Sequence, residues 1–104
     1  MTNSELQSLL ILHSVEGLGP ARIKRLFDYF GSFEGIWNSS ISEFSRFKFP
    51  DKLISNFKEA KKSLDPEKYF LDLEKTGIKV ITIFDEEYPE RLREISGAPM
   101  IIYY

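Results

Sequence analysis

The stretch VEGLGPARIKRLFDYFGSFEGIW, residues 15–37, decides how the first half of the chain folds. Two glycines one residue apart, Gly17 and Gly19, predict a sharp turn, because glycine adopts backbone conformations that other residues avoid. Pro20 favours a helix that begins directly after the turn, since its missing N–H costs nothing at the first helical position. This helix would carry an apolar face and end at a glycine: Ile23, Leu26, Phe27, Phe30 and Gly31. The stretch therefore predicts two helices that meet at a corner.

The segments on either side of this corner are helical in pattern as well. Before it, residues 2–5 and residues 4–7 both have the spacing of a capping box, and either one starts a helix with apolar residues at helical intervals. After it, Ser32 is expected to cap a short helix. The predicted helices beyond the corner cover residues 33–37, 42–47, 50–64 and 67–75. Residues 1–64 are therefore predicted to form a compact α-helical bundle.

The periodicity changes after Pro66. The run IKVITIF at residues 78–84 is rich in β-branched residues and is typical of a strand. Its consecutive apolar residues indicate burial on both faces, as in a parallel sheet. A short helix at 90–95 and a second strand-like run, MIIYY at 100–104, follow. Residues 65–104 are expected to be the first β-α-β part of a truncated α/β domain, and its open strand edges to promote a homo-oligomer.

The composition excludes several classes of function. The chain of 104 residues contains no cysteine, which excludes thiolate nucleophiles, disulfides and cysteine zinc sites. Because no nucleophile–base pair, metal cluster or complete phosphate loop is visible, the chain is expected not to be an enzyme and to hold no cofactor or metal. The N-terminus lacks the features of a signal peptide, and no apolar run approaches the roughly 18 residues of a membrane span. A cytoplasmic protein with no membrane partner is expected.

Charge is distributed unevenly along the chain. The net charge is −2, with nine Lys/Arg and seven Asp/Glu in residues 1–64 but five against nine in residues 65–104. The sign changes near Pro66, where the periodicity also changes, so we place a domain boundary between residues 64 and 65. An acidic second part is unfavourable for DNA binding, since neutralising phosphates supplies most of the non-specific affinity.

The glycine turn has two interpretations. In a helix-hairpin-helix, the N–H groups at the start of the second helix and the positive end of its dipole suit a phosphate oxygen, and recognition ignores the base sequence. The candidate nucleic-acid-binding residues are Gly17, Gly19, Arg22, Lys24 and Arg25. Alternatively, the turn is only a structural corner. Glu16 would repel phosphate, Pro20 removes one donor, and Ile23 stands where such hairpins usually carry alanine or threonine.

Other candidate residues have structural explanations beside the functional ones. Lys58, Lys61 and Lys62 lie at helical spacing, either as a solvated helix face or as a DNA contact. The acidic run at 85–87 is interpreted as a loop rather than a metal site, and His13 as a core or helix-end residue. The aromatic side chains could stack on bases, but their helical spacing favours the core: Phe27, Phe30, Phe33 and Trp37.

Two blocks of the sequence resemble the N-terminal part of the bacterial DNA processing protein A family (DprA, also called Smf). The first is LLILHSVEGLGPARIKRLFDYFGSFEGIW at residues 9–37; the second is GIKVITIFDEEYPERLREISGAPMIIYY at residues 77–104. The glycine hairpin alone is weakly specific, since many DNA-repair proteins share it. The second block follows the first at the right distance and is more specific; it rests on Ile81, Thr82, Asp85, Tyr88, Pro89, Leu92, Ile95 and Pro99.

The resemblance implies a helical domain at 1–64, described in the family as SAM-like or helix-hairpin-helix-like, followed by the start of a Rossmann-like domain at 65–104. Members of the family bind single-stranded DNA during natural transformation and help to load the RecA recombinase; they are not known as enzymes. Their main DNA-binding surface matches nothing up to Tyr104, so this chain is expected to be an accessory module that contacts DNA weakly through the glycine hairpin. The alternative is a protein–protein interaction or oligomerisation domain with no direct DNA contact.

Overall fold

The computed structural model of the protein describes all residues, 1–104. Six helices come first: α1 (Asn3–Ser14), α2 (Pro20–Phe30), α3 (Phe33–Trp37), α4 (Ile41–Ser45), α5 (Asp51–Ser63) and α6 (Pro66–Lys75). They are followed by strand β1 (Val80–Thr82), the short helix α7 (Glu90–Arg93) and strand β2 (Ile101–Tyr103). No helix is both long enough and apolar enough to cross a membrane. The predicted helical bundle and both predicted strands are confirmed.

Local capping signals explain where the helices begin and end. Thr2 caps α1, because its Oγ1 accepts a hydrogen bond of 3.2 Å from the backbone N–H of Glu5; of the two predicted registers, the structure adopts residues 2–5. Gly31 ends α2 in the left-handed conformation, with a φ of +79°, as a glycine after a helix commonly does. Ser32 caps α3 through a bond of 2.9 Å from the N–H of Gly35.

Helix α1 lies at the centre of the core. Its residues Leu9, Leu10, Ile11 and Leu12 are completely buried, and α3 and α6 both pack against it. Four consecutive buried residues on a helix require neighbours on several sides, which the surrounding helices provide. The aromatic residues complete the core, as their spacing predicts: Phe33 and Trp37 are buried, and Phe27 and Phe30 pack against it half-buried. The chain thus folds around α1.

The two strands pair antiparallel, so the expected parallel sheet is wrong. The expected burial of β1 on both faces is wrong as well, since only Thr82 is fully buried and Val80 and Ile81 are half-buried. Val80 stands opposite Tyr103 and Thr82 opposite Ile101 in a two-stranded sheet. The reason lies in the connection. Asp85 Oδ2 accepts from the N–H of Thr82 at 2.8 Å and turns the chain directly after β1, while the hydroxyl of Tyr88 donates to the carbonyl of Pro99 at 2.6 Å. These bonds bring the chain back so that β2 runs antiparallel beside β1, instead of crossing over to a parallel strand.

The second part of the chain packs on the helical bundle. Tyr69, Phe70 and Leu73 of α6 contact the core, and Met100 and Ile101 are buried in the same hydrophobic cluster as α1. Residues 65–104 therefore share one core with residues 1–64. The domain boundary between residues 64 and 65 remains a prediction.

Candidate nucleic-acid interface

The turn between α1 and α2 is built around Gly17. The N–H of Leu18 donates to the carbonyl of Val15 at 3.0 Å, and Gly17, the third residue of this four-residue turn, has a φ of +90°. Positive φ at this position is what a type II turn requires. A Cβ on Gly17 would lie 3.5 Å from Cδ1 of Leu53, an ordinary contact. The backbone conformation, and not a lack of space, therefore requires glycine here.

Gly19 differs from Gly17, because nothing in the protein requires glycine at this position. It is the N-cap of α2, with φ −82° and ψ 179°, a conformation open to any residue. A Cβ there would meet no atom within 4 Å. Serine, threonine, aspartate or asparagine usually cap a helix by accepting from its first N–H groups. Gly19 leaves them uncapped.

The start of α2 consequently exposes free hydrogen-bond donors. Pro20 has no N–H, and the N–H groups of Ala21 and Arg22 donate to no acceptor within the protein. The first turn of this 11-residue helix also contains no acidic side chain. Free donors and the positive end of the helix dipole point the same way, an arrangement that suits an anion.

Arg22 and Arg25 lie on one side of α2 and Lys24 on another. Arg22 Nη1 donates to the carbonyl of Gly17 at 2.7 Å. The guanidinium of Arg25 lies over the rings of Phe47 and Phe49, with its Cζ 5.4 and 5.6 Å from their centroids. Lys24 instead lines a cleft on the opposite flank. Of the five predicted site residues, the structure groups Gly17, Gly19 and Arg22 at the turn, with Arg25 one helical turn further on.

The cations of this site have no carboxylate partner. The one ion pair in the structure joins Lys68 to Asp72 on the surface of α6, so Arg22, Lys24 and Arg25 are all unpaired. Glu16 and Arg22 do line the same polar cleft of about 220 Å³, together with Lys52. The attraction of a phosphate to Arg22 and Lys52 in that cleft therefore opposes its predicted repulsion by Glu16.

Lys61, one of the three lysines at helical spacing in α5, makes contacts within the helical bundle. Its Nζ donates to the carbonyl of Ser39 and lies 5.4 Å from the ring centroid of Phe57. Burial lowers the pKa of Lys61, while the nearby charge of Glu43 opposes the shift. Lys58 and Lys62 are exposed. The three lysines therefore do not act as one surface.

The acidic loop and the histidine take structural positions. Asp85 accepts from Thr82 as described above, and no group of three His, Cys, Asp or Glu residues could hold a metal ion. His13 is half-buried in the last turn of α1, its ring centroid 6.0 Å from that of Tyr103. Burial lowers the pKa of His13. Burial, and then the nearby Tyr69, raise the pKa of Tyr103 to about 12.

Two features near the turn escaped the sequence interpretation. The first is the loop RFKFP at residues 46–50, which supplies the rings beneath Arg22 and Arg25. Its alternation of basic and aromatic residues was the available signal. The second is an apolar cleft of about 510 Å³ on the other flank of α2, which includes Phe27, Phe33 and Phe84. It forms only where residues 83–100, which lie next to the two strands, pack beside α2, so no local pattern indicates it.

Comparison with known proteins agrees with the sequence resemblance. The chain is similar along its whole length to Protein Smf from Synechocystis sp., with 29% identity over 105 residues. A segment of 55 residues, about half of the chain, is 42% identical to UvrABC system protein C from Thermotoga petrophila. The chain spans 26% of the length of the first protein, and the matched segment spans 9% of the second. No family model and no solved structure matches.

These similarities are to particular proteins rather than to a family model. The resemblance to the N-terminal region of DprA (Smf) proteins, inferred from residues 9–37 and 77–104, is confirmed by the similarity to Smf along the whole of this chain.

Proposed function

We propose that this chain is the N-terminal module of a single-stranded-DNA-binding protein of the DprA (Smf) type. The parent protein would process DNA during natural transformation and help to load RecA. This chain itself would make a weak, sequence-independent contact with the phosphate backbone of the DNA, through the glycine turn and the start of α2, residues 17–25. Residues 1–64 would correspond to the SAM-like or helix-hairpin-helix domain and residues 65–104 to the start of the Rossmann-like domain. The similarity to Smf supports this assignment.

The observation that carries the phosphate contact is the pair of free donors behind Gly19. A purely structural corner accounts for Gly17, whose φ of +90° excludes most side chains. It does not account for Gly19, whose conformation is ordinary and whose Cβ would be unobstructed. An uncapped helix start with the N–H groups of Ala21 and Arg22 free suits a phosphate that approaches the backbone closely.

A binding titration tests the proposal. We would measure the fluorescence anisotropy of a labelled single-stranded oligonucleotide at about 50 and about 200 mM salt. The test variant is Arg22→Ala/Lys24→Ala/Arg25→Ala. The matched control is Lys75→Ala/Lys79→Ala/Arg91→Ala, which removes the same charge from exposed positions in the acidic part of the chain.

The proposal predicts binding that weakens with salt, is lost in the test variant and persists in the control. Each lost phosphate contact should lower the salt slope by about 0.7. Equal losses in both variants would show a general charge effect, and absence of binding by the unmodified chain at low salt would make the turn a structural corner. Either result would overturn the proposed DNA contact.

The apolar cleft favours a second candidate, a protein–protein interaction or oligomerisation domain. Phe84, which lines the cleft, is 57% exposed, and its ring centroid lies 6.0 Å from that of Phe33. Exposed apolar surface of this kind is typical of interaction sites. Association that is insensitive to salt, together with no oligonucleotide binding, would favour this candidate over the DNA module.

A further inference from the structure

The loop between α4 and α5, residues 46–50, lies against the arginine side of α2. The Cζ of Arg22 is 5.7 Å from the ring centroid of Phe49, and Arg25 lies over the rings of both Phe47 and Phe49. The two rings stack on each other at 5.8 Å. Two arginines that are far from the loop in sequence are therefore held on its aromatic side chains.

The loop adds cations to those of α2. Arg46 and Lys48 alternate with the two phenylalanines and are exposed. Lys52, at the start of α5, lines the polar cleft together with Arg22. Since the one ion pair in the structure is Lys68 with Asp72, none of these cations is neutralised by a carboxylate. In a chain whose net charge is −2, this unpaired basic surface favours an anionic partner.

Lys48 also has an unusual backbone conformation. Its φ is +55°, and it is the one residue other than glycine with a positive φ. Side chains other than glycine, asparagine and aspartate rarely adopt this conformation, and such strain clusters at functional sites. Glycine would fit this backbone conformation better, so the conformation of the loop does not explain why residue 48 is a lysine.

Tyr29 provides a surface for stacking beside these cations. It lies one helical turn beyond Arg25 and is 57% exposed. Its ring packs edge-on against Phe30 and Phe47, with centroids 4.9 and 5.4 Å apart. A tyrosine that two neighbouring rings hold in place and that is more than half exposed is suited to stacking on an unpaired base, whereas a base inside a duplex is not available to it.

We propose that Arg22, Arg25, Tyr29, Arg46 and Lys48 form one arginine–aromatic surface that binds single-stranded nucleic acid. The cations hold consecutive phosphates, and Tyr29 stacks on one base. This inference rests on the proposed function and extends its site from the glycine turn to the loop at 46–50. Charge complementarity and the exposed ring of Tyr29 favour this partner over an acidic peptide, which offers no base to stack.

The experiment measures anisotropy with the full chain, with three new variants and with the Arg22→Ala/Lys24→Ala/Arg25→Ala variant described above. Arg46→Gln/Lys48→Gly removes two charges from the loop, and because glycine at 48 relieves the strained backbone, this variant is expected to remain folded. Lys75→Gln/Lys79→Gln is the matched control. Tyr29→Leu removes the stacking ring without changing charge. Each protein is titrated with a single-stranded oligonucleotide and with an abasic strand of the same length, and poly-glutamate is added as a competitor.

The expected results separate charge from stacking. The loop variant should have a salt slope lower by about 1.4, that is, two phosphate contacts, while the control is unchanged. The unmodified chain should prefer the normal strand over the abasic strand by roughly tenfold, a preference that Tyr29→Leu loses.

Other results would overturn this inference. A loop variant that binds like the control, while the Arg22/Lys24/Arg25 variant does not bind, would refute the larger surface and leave the proposed turn contact standing. Equal binding of both strands, or displacement by poly-glutamate at equal charge concentration, would identify a general polyanion surface instead. Failure of the unmodified chain to bind any strand would refute both proposals.

Discussion

The guanidinium of Arg22 donates a hydrogen bond of 2.7 Å to the carbonyl oxygen of Gly17, so the first turn of α2 holds the loop that precedes it. The side chain joins the glycine turn to the loop at residues 46–50, because it also lies over the ring of Phe49. Arginine has five N–H donors, and the bond to Gly17 uses one of them. Arg22 can therefore stabilise the turn and still donate to a phosphate.

The two glycines of the turn should respond differently to alanine. Gly17→Ala should lower the free energy of unfolding by about 1–2 kcal/mol, because φ is +90° at this position. Gly19→Ala should change it by no more than about 0.5 kcal/mol, since its conformation is ordinary and its Cβ meets nothing. Urea unfolding of both variants, with an unchanged slope, is the check. Equal losses would contradict the assigned backbone geometry.

Glu5 should contribute to stability across two helices. Its carboxylate accepts from the N–H groups of Phe33 and Glu34, at 3.0 and 2.8 Å, and so joins α1 to the start of α3. Glu5→Gln should lower the free energy of unfolding by about 1–2 kcal/mol, as expected for bonds to a charged acceptor. The control is Glu59→Gln, whose carboxylate accepts only from the exposed Ser63 hydroxyl. Similar unfolding midpoints for the two variants would argue against this connection.

His13 should make stability depend on pH. Burial lowers its pKa in the folded chain, so the unfolded chain, with a pKa of about 6.5, binds the proton more readily. The contribution of neutral His13 to the free energy of unfolding is therefore fully present above about pH 6.5. It is lost as the pH falls from there through the lower pKa of the folded state. In thermal melts between about pH 7.5 and 5.5, the unmodified chain should lose more stability than His13→Gln. Parallel curves would show that His13 does not titrate differently on unfolding.

The chain should also self-associate through its two-stranded sheet. β1 and β2 pair with each other alone, so each strand keeps one unpaired edge, which favours pairing with another chain. Sedimentation should show a concentration-dependent increase in mass, which Tyr103→Pro should reduce, because the N–H of Tyr103 faces the unpaired edge of β2 rather than β1. A strictly monomeric profile at high concentration would contradict this prediction.

The sequence predicts those features of the fold that depend on residues close together in the chain, and not those that depend on residues far apart. The cap at Ser32 and the glycine at the end of α2 depend on neighbours within one helical turn, and both were predicted. The pairing direction of the strands was not, because it depends on Tyr88 reaching Pro99, 11 residues away. Likewise, the place of Arg25 after the turn was enough to predict it as a candidate binding residue. Its contact with the rings of Phe47 and Phe49 was not predicted, because they lie more than 20 residues further along the chain.

The most direct test of the central claim compares two substitutions at Gly19. Alanine leaves the first N–H groups of α2 free, whereas asparagine accepts from them as a helix cap; both are uncharged. We predict that Gly19→Asn is more stable than Gly19→Ala yet binds a single-stranded oligonucleotide several-fold more weakly, because its side chain occupies the donors that a phosphate would use. Equal affinities, with the asparagine variant more stable, would contradict this prediction and make the glycine turn a structural corner.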